Sequence, residues 1–378
     1  MRHLLAVAAV GAVVVTGCAD DSDEPDDVGT QTTSAPTSSP AEPPSTPDSP
    51  STPDSPSGPV RAEDLVTRLT SPWGLVVLDD GSMLISERDT KDIKLVPAGG
   101  GEPTVVATID EAMPAGEAGL LGLATTPAED RIFVYYTADD DNRIATMSWD
   151  GRRLGEPRVI FDGIPNGDGN RHEGGGLAVG PDDLLYVTTG ETGNTPELSQ
   201  DRDSLAGKVL RLTLDGEPAP DNPFGTAVYS WGHRNVEGLA FDGRDRLWVS
   251  EFGDSAWDEL NLIEPGGNYG WPEVEGVGDD DQYVDPAAVW RPENNSPAGL
   301  AFWEGSLWMA GLRGETLWEI PLAGGRAGEP VAHLQGEYGR LRTVEVAADG
   351  SALLVGTSNT DGRATPNEGD DRLLRVTR

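Results

Sequence analysis

His172 is the side chain in this 378-residue sequence whose type and setting best suit proton transfer near neutral pH. It lies in Asn170-Arg171-His172-Glu173-Gly174-Gly175-Gly176, where clustered glycines let the backbone come close to a ligand. Only His3, His233 and His333 accompany it. His233 precedes Arg234 and is expected to hydrogen-bond structurally. His333 has no motif around it and reads as a surface residue. If the chain is an enzyme, His172 is its first candidate base.

A second concentration of chemistry runs from Tyr229 to Pro272. It contains Gly232-His233-Arg234-Asn235, Glu251-Phe252-Gly253-Asp254, Asp258-Glu259-Leu260-Asn261 and Gly267-Asn268-Tyr269-Gly270-Trp271-Pro272. Glycine-bearing turns alternate here with carboxylates, amides and a cation, the mixture expected where loops converge on a ligand.

The elements that must position these groups repeat. Gly74-Leu75-Val76-Val77, Gly122-Leu123-Ala124, Gly176-Leu177-Ala178-Val179, Gly238-Leu239-Ala240-Phe241, Gly299-Leu300-Ala301-Phe302 and Thr343-Val344-Glu345-Val346 each open an apolar strand. Each strand is followed by a turn and a second strand rich in aromatic or branched residues, which is a hairpin signature. The copies start 44 to 62 residues apart, the length of one four-stranded propeller blade. The expected fold is all-β, a six-bladed β-propeller. A sandwich would not repeat one hairpin at so long a period, and no helical periodicity supports a βαβ alternative. The terminal run Asp371–Arg378 alternates like a strand and is expected to pair with the segment around Leu65 to Leu69, closing the ring from both chain ends.

Upstream, Met1-Arg2-His3 followed by the apolar run Leu4 to Thr16 reads as an export signal, residues 1–17, too short to be a stable membrane span. Cys18, the single cysteine, excludes an intramolecular disulfide. Its place after Val15-Thr16-Gly17 resembles the bacterial lipoprotein box, which implies lipidation and anchoring to the outer face of the cell membrane; the alternative is an ordinary secreted protein with an incidental cysteine. Residues 18–60 are dominated by Asp, Glu, Ser, Thr and Pro without an aromatic residue, so they read as a solvated tether. The globular domain is therefore 61–378. The whole chain carries a formal charge of −38, and subtracting the tether and the signal leaves the domain near −30. Nucleic acid is excluded as a partner of such a surface.

Together with Gly116-Glu117-Ala118-Gly119, Ala206-Gly207-Lys208-Val209-Leu210-Arg211 and Gly339-Arg340-Leu341-Arg342, the motifs above resemble the soluble quinoprotein glucose and aldose sugar dehydrogenases, in the right order over residues 62 to 378. The resemblance implies a propeller that binds pyrroloquinoline quinone (PQQ) and Ca2+ at its mouth. It also implies oxidation of an aldose at the anomeric carbon to a lactone, with electrons leaving to an external acceptor. His172 would take the sugar proton while hydride passes to the quinone. Arg234 would stand beside the quinone oxygens, and Asn235 would touch the cofactor. Arg340 and Arg342, two apart on a strand, would grip cofactor carboxylates, with Arg313 one blade earlier. Glu117 falls near the substrate pocket. Glu259, through its carboxylate, and Tyr269, through its main-chain carbonyl, match calcium positions, with Asp258 adding charge nearby.

Four positions, in three places, depart from the family pattern. Glu191 stands where an aspartate usually orients the histidine, so the pairing either persists with altered geometry or is lost. Phe252 and Asp254 replace His and Pro. Glu173 replaces a neutral residue beside His172 and is expected to raise the histidine's pKa. Two other readings remain open: a calcium-dependent lactonase-type propeller with the metal on the axis, and a non-catalytic binding propeller. The quinone-gripping motifs favour the dehydrogenase.

Overall fold

A computed structural model describes residues 58–378, save 168 and 279. The expected export signal, Cys18 and the expected tether up to residue 57 lie outside the described residues. No helix among the described residues is long and apolar enough to cross a membrane.

Six antiparallel sheets form the six blades of a β-propeller. Every copy of the repeat supplies the first two strands of one blade. They are Pro72–Val77 with Met83–Glu87, Leu120–Thr125 with Arg131–Thr137, and Leu177–Val179 with Leu185–Thr188 in blades 1 to 3. In blades 4 to 6 they are Asn235–Phe241 with Leu247–Phe252, Pro297–Trp303 with Ser306–Gly311, and Leu341–Val346 with Leu353–Thr357. The only helical pieces described are the short turns Pro196–Gln200 and Pro292–Asn294.

The repeated glycine has a steric cause. First strands of successive blades touch in a closed ring around the axis. A Cβ on Gly74 would lie 2.7 Å from Leu123 N, and one on Gly122, Gly176, Gly238 or Gly299 would strike the backbone of the next blade. A buried hydroxyl completes the joint in three blades. Ser86, Thr188 and Ser250 each accept the amide of their blade's repeat glycine and donate to a carbonyl of the next blade, at Leu121, Val236 and Ala298. The second strands carry the large residues, among them Phe133, Tyr135, Trp248 and Trp308, all buried between blades. Each such side chain contributes about 1.5–3 kcal/mol of burial.

Blade 6 is closed by both chain ends, with Leu373–Thr377 between Leu353–Thr357 and Arg61–Val66. The N-terminal strand begins earlier than the sequence suggested, running in register from Arg61 opposite Thr377 to Val66 opposite Leu373. Beyond it, Leu69 and Asp371 exchange backbone hydrogen bonds of 2.9 and 3.0 Å, so the expected segment continues the pairing rather than forming the strand. The strand itself carries a bulge between Asp64 and Val66, and Arg68 at φ +64° separates it from the Leu69 pairing.

Candidate active site

The glycine loop before the first strand of blade 3 is moulded onto its neighbours. A Cβ on Gly174 would lie 2.5 Å from Thr189 Cα, and one on Gly190 would meet the His172 carbonyl. Gly174 N donates to Asn235 Oδ1 at 3.0 Å, Gly175 N to Thr188 O at 3.0 Å, and Tyr135 OH to Glu173 O at 2.8 Å. The loop thereby holds His172 at φ +58°, a left-handed conformation that a non-glycine residue keeps only when its surroundings enforce it.

His172 and Glu191 are both buried, and His172 Nδ1 lies 2.6 Å from Glu191 Oε1. The longer acid has therefore kept the pairing. A carboxylate only accepts, so with Glu191 ionised Nδ1 carries the proton and the Nε2 lone pair is left free to act as a base. Glu191 is tied to the next blade through its amide, which donates to Arg234 O at 2.8 Å.

Glu173 places full charge beside the histidine only above about pH 7. Its carboxyl turns to Asn142, whose Nδ2 donates to Oε2 at 2.8 Å, and its pKa is pushed up to about 7, chiefly by burial. The folded state holds this proton between about pH 4.5 and 7, where the unfolded chain has released it. The stability it supplies is full below about pH 4.5 and is lost as pH rises through 7. Glu173→Gln is accordingly expected to raise the midpoint of thermal unfolding at pH 8, by the equivalent of up to ~3 kcal/mol, and to change it little at pH 4. Equal shifts at both pH values in calorimetric melts would show that the carboxyl's titration is not the cause.

Arg234 is buried at the start of blade 4. Its amide donates to Glu251 Oε1 at 2.5 Å, Nη2 to Asp254 Oδ1 at 3.1 Å and Nη1 to the Phe252 carbonyl at 3.4 Å, while the guanidinium lies 5.3 Å from the Trp271 ring centroid. Its Nε is buried without a partner. Asp254, where the family pattern has proline, thus supplies the counter-charge, and Phe252 supplies only a carbonyl. Asn235 Oδ1 accepts from Gly174 N of the His172 loop. His233 plays the structural part expected of it: Nδ1 meets Glu251 at 2.8 Å, Nε2 meets Ser230 at 2.8 Å, and the ring stacks on Tyr269.

Glu259 and Tyr269 line one small cleft with Arg234, Glu251, Trp271 and Glu275. Glu259 accepts from Gly276 N and Asn261 Nδ2, and burial, reinforced by the neighbouring Glu251 carboxylate, pushes it up to about 8. Asn261 Oδ1 is buried without a partner, and the Tyr269 carbonyl accepts no backbone hydrogen bond among the described residues. No three His, Cys, Asp or Glu side chains there converge as a metal centre, so a cation would draw on such amide and main-chain oxygens. Asp258 instead ties loops, accepting Gly253 N and Ser296 N. Burial pushes its pKa up to about 6.

The remaining cations divide. Arg313, exposed, and Arg340 line a cavity of about 360 Å³ together with Arg363. Arg342 lines the axial channel, pairs with Glu237 at 2.7 Å and lies over Trp73. Arg340 and Arg342 still converge, on Ser358, through its carbonyl and its hydroxyl respectively. Glu117 has both oxygens engaged, Oε2 by His172 N at 2.7 Å and Oε1 by Arg363 at 3.0 Å. His333 is not at the surface: its side chain is only 8 % exposed, packed on Trp308 with Nε2 3.0 Å from Glu319. The strand Val331–His333 pairs with the third strand of blade 5, and that pairing buries the ring.

Sequence reasoning missed Arg363 and Glu275, and gave Asp254 no partner. One oxygen of Glu275 accepts the amides of Asp254, Ser255, Ala256 and Trp257, fixing the loop that carries the arginine's counter-ion. These partners belong to loops that differ between blades, so no repeat marks them.

The sequence profile of the Glucose / Sorbosone dehydrogenase family matches residues 69–374. The PQQ-bound structure of the aldose sugar dehydrogenase from Streptomyces coelicolor superposes with a TM-score of 0.81 at 50 % identity, covering 85 % of this chain and 99 % of that one. The aldose sugar dehydrogenase of Escherichia coli is 29 % identical over 80 % of this chain and 91 % of its own length. Quinoprotein glucose dehydrogenase B of Acinetobacter calcoaceticus is 33 % identical over 58 % of this chain and 54 % of its own. A matched span running from the first blade into the closing strand, with the His172 loop and both arginine motifs inside it, leaves one conclusion: the chain belongs to the glucose/sorbosone dehydrogenase family.

Proposed function

We propose that this protein is a quinoprotein sugar dehydrogenase that, with PQQ and Ca2+, oxidises an aldose at its anomeric carbon to the lactone and passes the electrons to an external acceptor. The observation that carries the reading is the buried His172–Glu191 pair, linked through the Glu191 amide to Arg234. His172 Nε2 takes the proton of the anomeric hydroxyl, and Glu191 holds the ring and steadies the imidazolium that results. The quinone, when bound, supplies the two-electron acceptor for the hydride leaving the anomeric carbon. Arg234 offers a fixed cation where negative charge develops, its Nε being without a protein partner. Arg313 and Arg340 suit a ligand bearing several carboxylates.

For Ca2+, the support is the oxygen set at Glu259, Tyr269 and the unpartnered Asn261 Oδ1. Calcium is expected to raise the midpoint of thermal unfolding, by the equivalent of about 2.7 kcal/mol at a hundredfold excess over Kd, and Glu259→Gln is expected to lose the shift. A variant that keeps the full shift would remove Glu259 from the site. Export and lipid anchoring at Cys18 complete the proposal on the strength of the N-terminal sequence.

The direct assay mixes the purified domain with PQQ, Ca2+, a panel of aldoses and an artificial electron acceptor. Cofactor-dependent reduction of the acceptor is expected. Its absence with every sugar would overturn the reading, and calcium-dependent lactone hydrolysis without the quinone would replace it with the hydrolase.

A further inference from the structure

We propose that Arg363 is a positioning residue for the His172 base: it anchors Glu117, whose second oxygen holds the His172 amide, and so links the cation-lined cavity to the proton-accepting ring. The proposal rests on the reading of His172 as the base.

Two carboxylates fix this histidine. Glu191 holds the ring, and Glu117 holds the backbone through a 2.7 Å hydrogen bond from His172 N to Oε2. The second bond matters because the backbone is left-handed at this residue, and a residue without a glycine's freedom needs a restraint to stay there. Glu117 itself rides on the base loop. Its amide donates to Asn170 O at 2.8 Å, and Gly116, at φ +60°, has no room for a Cβ against the same carbonyl. Backbone contacts therefore set where Glu117 sits but leave its carboxylate to be aimed.

That aim comes from the other end of the chain. Arg363 Nη2 donates to Glu117 Oε1 at 3.0 Å across a sequence separation of 246 residues. The loop bearing Arg363 is firmly rooted. Asp361, with a fully buried side chain, accepts from Arg340 Nη2, Ser358 OH and the Arg363 amide. Asp371, also buried, accepts from Thr357 OH and from the amides of Asn359 and Thr360. Arg363 is half-exposed, so its ion pair adds little to global stability, and its removal should leave the propeller folded. Its second face lines the cavity shared with Arg313 and Arg340. An anionic group bound there shares the guanidinium with Glu117, and its arrival is felt at the His172 amide.

The test compares Arg363→Ala and Arg363→Lys with the wild type by amide hydrogen exchange without cofactor, and by steady-state kinetics at saturating quinone. In Arg363→Ala, exchange is expected to accelerate about tenfold at residues 116–118 and 170–173 only. The same variant should lose about tenfold in kcat with little change in sugar KM, a loss of the size expected from a misplaced base, and lysine should restore part of both. Unchanged exchange at His172 overturns the proposal, as does acceleration spread through all blades, which would mark a merely structural role. If His172→Ala proved fully active the base reading would fail by itself, and the exchange measurement would still decide whether Arg363 holds the loop.

Discussion

With His172 replaced by alanine, aldose-dependent reduction of an electron acceptor is expected to fall by about 10²–10⁴-fold in kcat, the usual worth of a positioned general base. The protein should stay folded. The loop around His172 is held by contacts the substitution does not touch, namely Gly174 N to Asn235 Oδ1, Gly175 N to Thr188 O and Tyr135 OH to Glu173 O. Calcium should still raise the unfolding midpoint, because Glu259 and Tyr269 line a cleft on blade 4 that does not include residue 172. Glu191→Gln should fall between the wild type and His172→Ala. The amide keeps a partner for Nδ1 but removes the charge that steadies the imidazolium, and it can also donate to Nδ1 and impose the unproductive tautomer. Stopped-flow reduction of the quinone with excess aldose reads the step directly. An alanine variant as fast as the wild type would remove His172 from the mechanism.

Deletion of residues 371–378 is expected to prevent folding altogether. The lost segment contains the strand Leu373–Thr377, which joins Leu353–Thr357 to Arg61–Val66 and has no substitute among the described residues. Leu373, Leu374 and Val376 are completely or almost completely buried, and together they contribute roughly 5–9 kcal/mol of apolar burial. Asp371 goes with them, leaving Thr357 and the Asn359 and Thr360 amides without their acceptor. Losses of that size match the whole stability of an ordinary domain, about 5–15 kcal/mol. Expression as insoluble material, or a circular dichroism spectrum without cooperative unfolding, is the expected readout. A soluble truncated protein with an unaltered midpoint would show that the ring does not depend on this clasp. Adding the peptide 371–378 in trans should not restore it, because the intramolecular strand gains an effective concentration that a free peptide lacks.

The sequence of this protein determined the architecture. An apolar strand followed by an aromatic or branched strand, six times at blade length and opened by glycine in five of the six, allows little other than a propeller, and the reason is local: the glycine is demanded where first strands pass backbone against backbone. It also marked His172, Glu191, Arg234 and the Glu259–Tyr269 stretch, because short motifs carry their own geometry. What it left open were relations between distant residues. Whether a glutamate one methylene too long still reaches His172 depended on how closely Gly190 packs on the His172 carbonyl, a contact between two loops.

Tertiary structure alone decided the state of Glu173 and the partners of Glu117 and Arg234. Glu173 reads as a charge in the sequence, yet burial beside Asn142 pushes it up to about 7, because desolvation depends on what folds over a side chain. Arg363 reads as one more arginine in an acidic chain until blade 6 carries its loop over to Glu117. Periodicity and motif spacing report on the few residues nearest in sequence. Glu191, Glu117 and, behind it, Arg363 reach His172 from separate segments of the chain, and only the folded propeller brings them together.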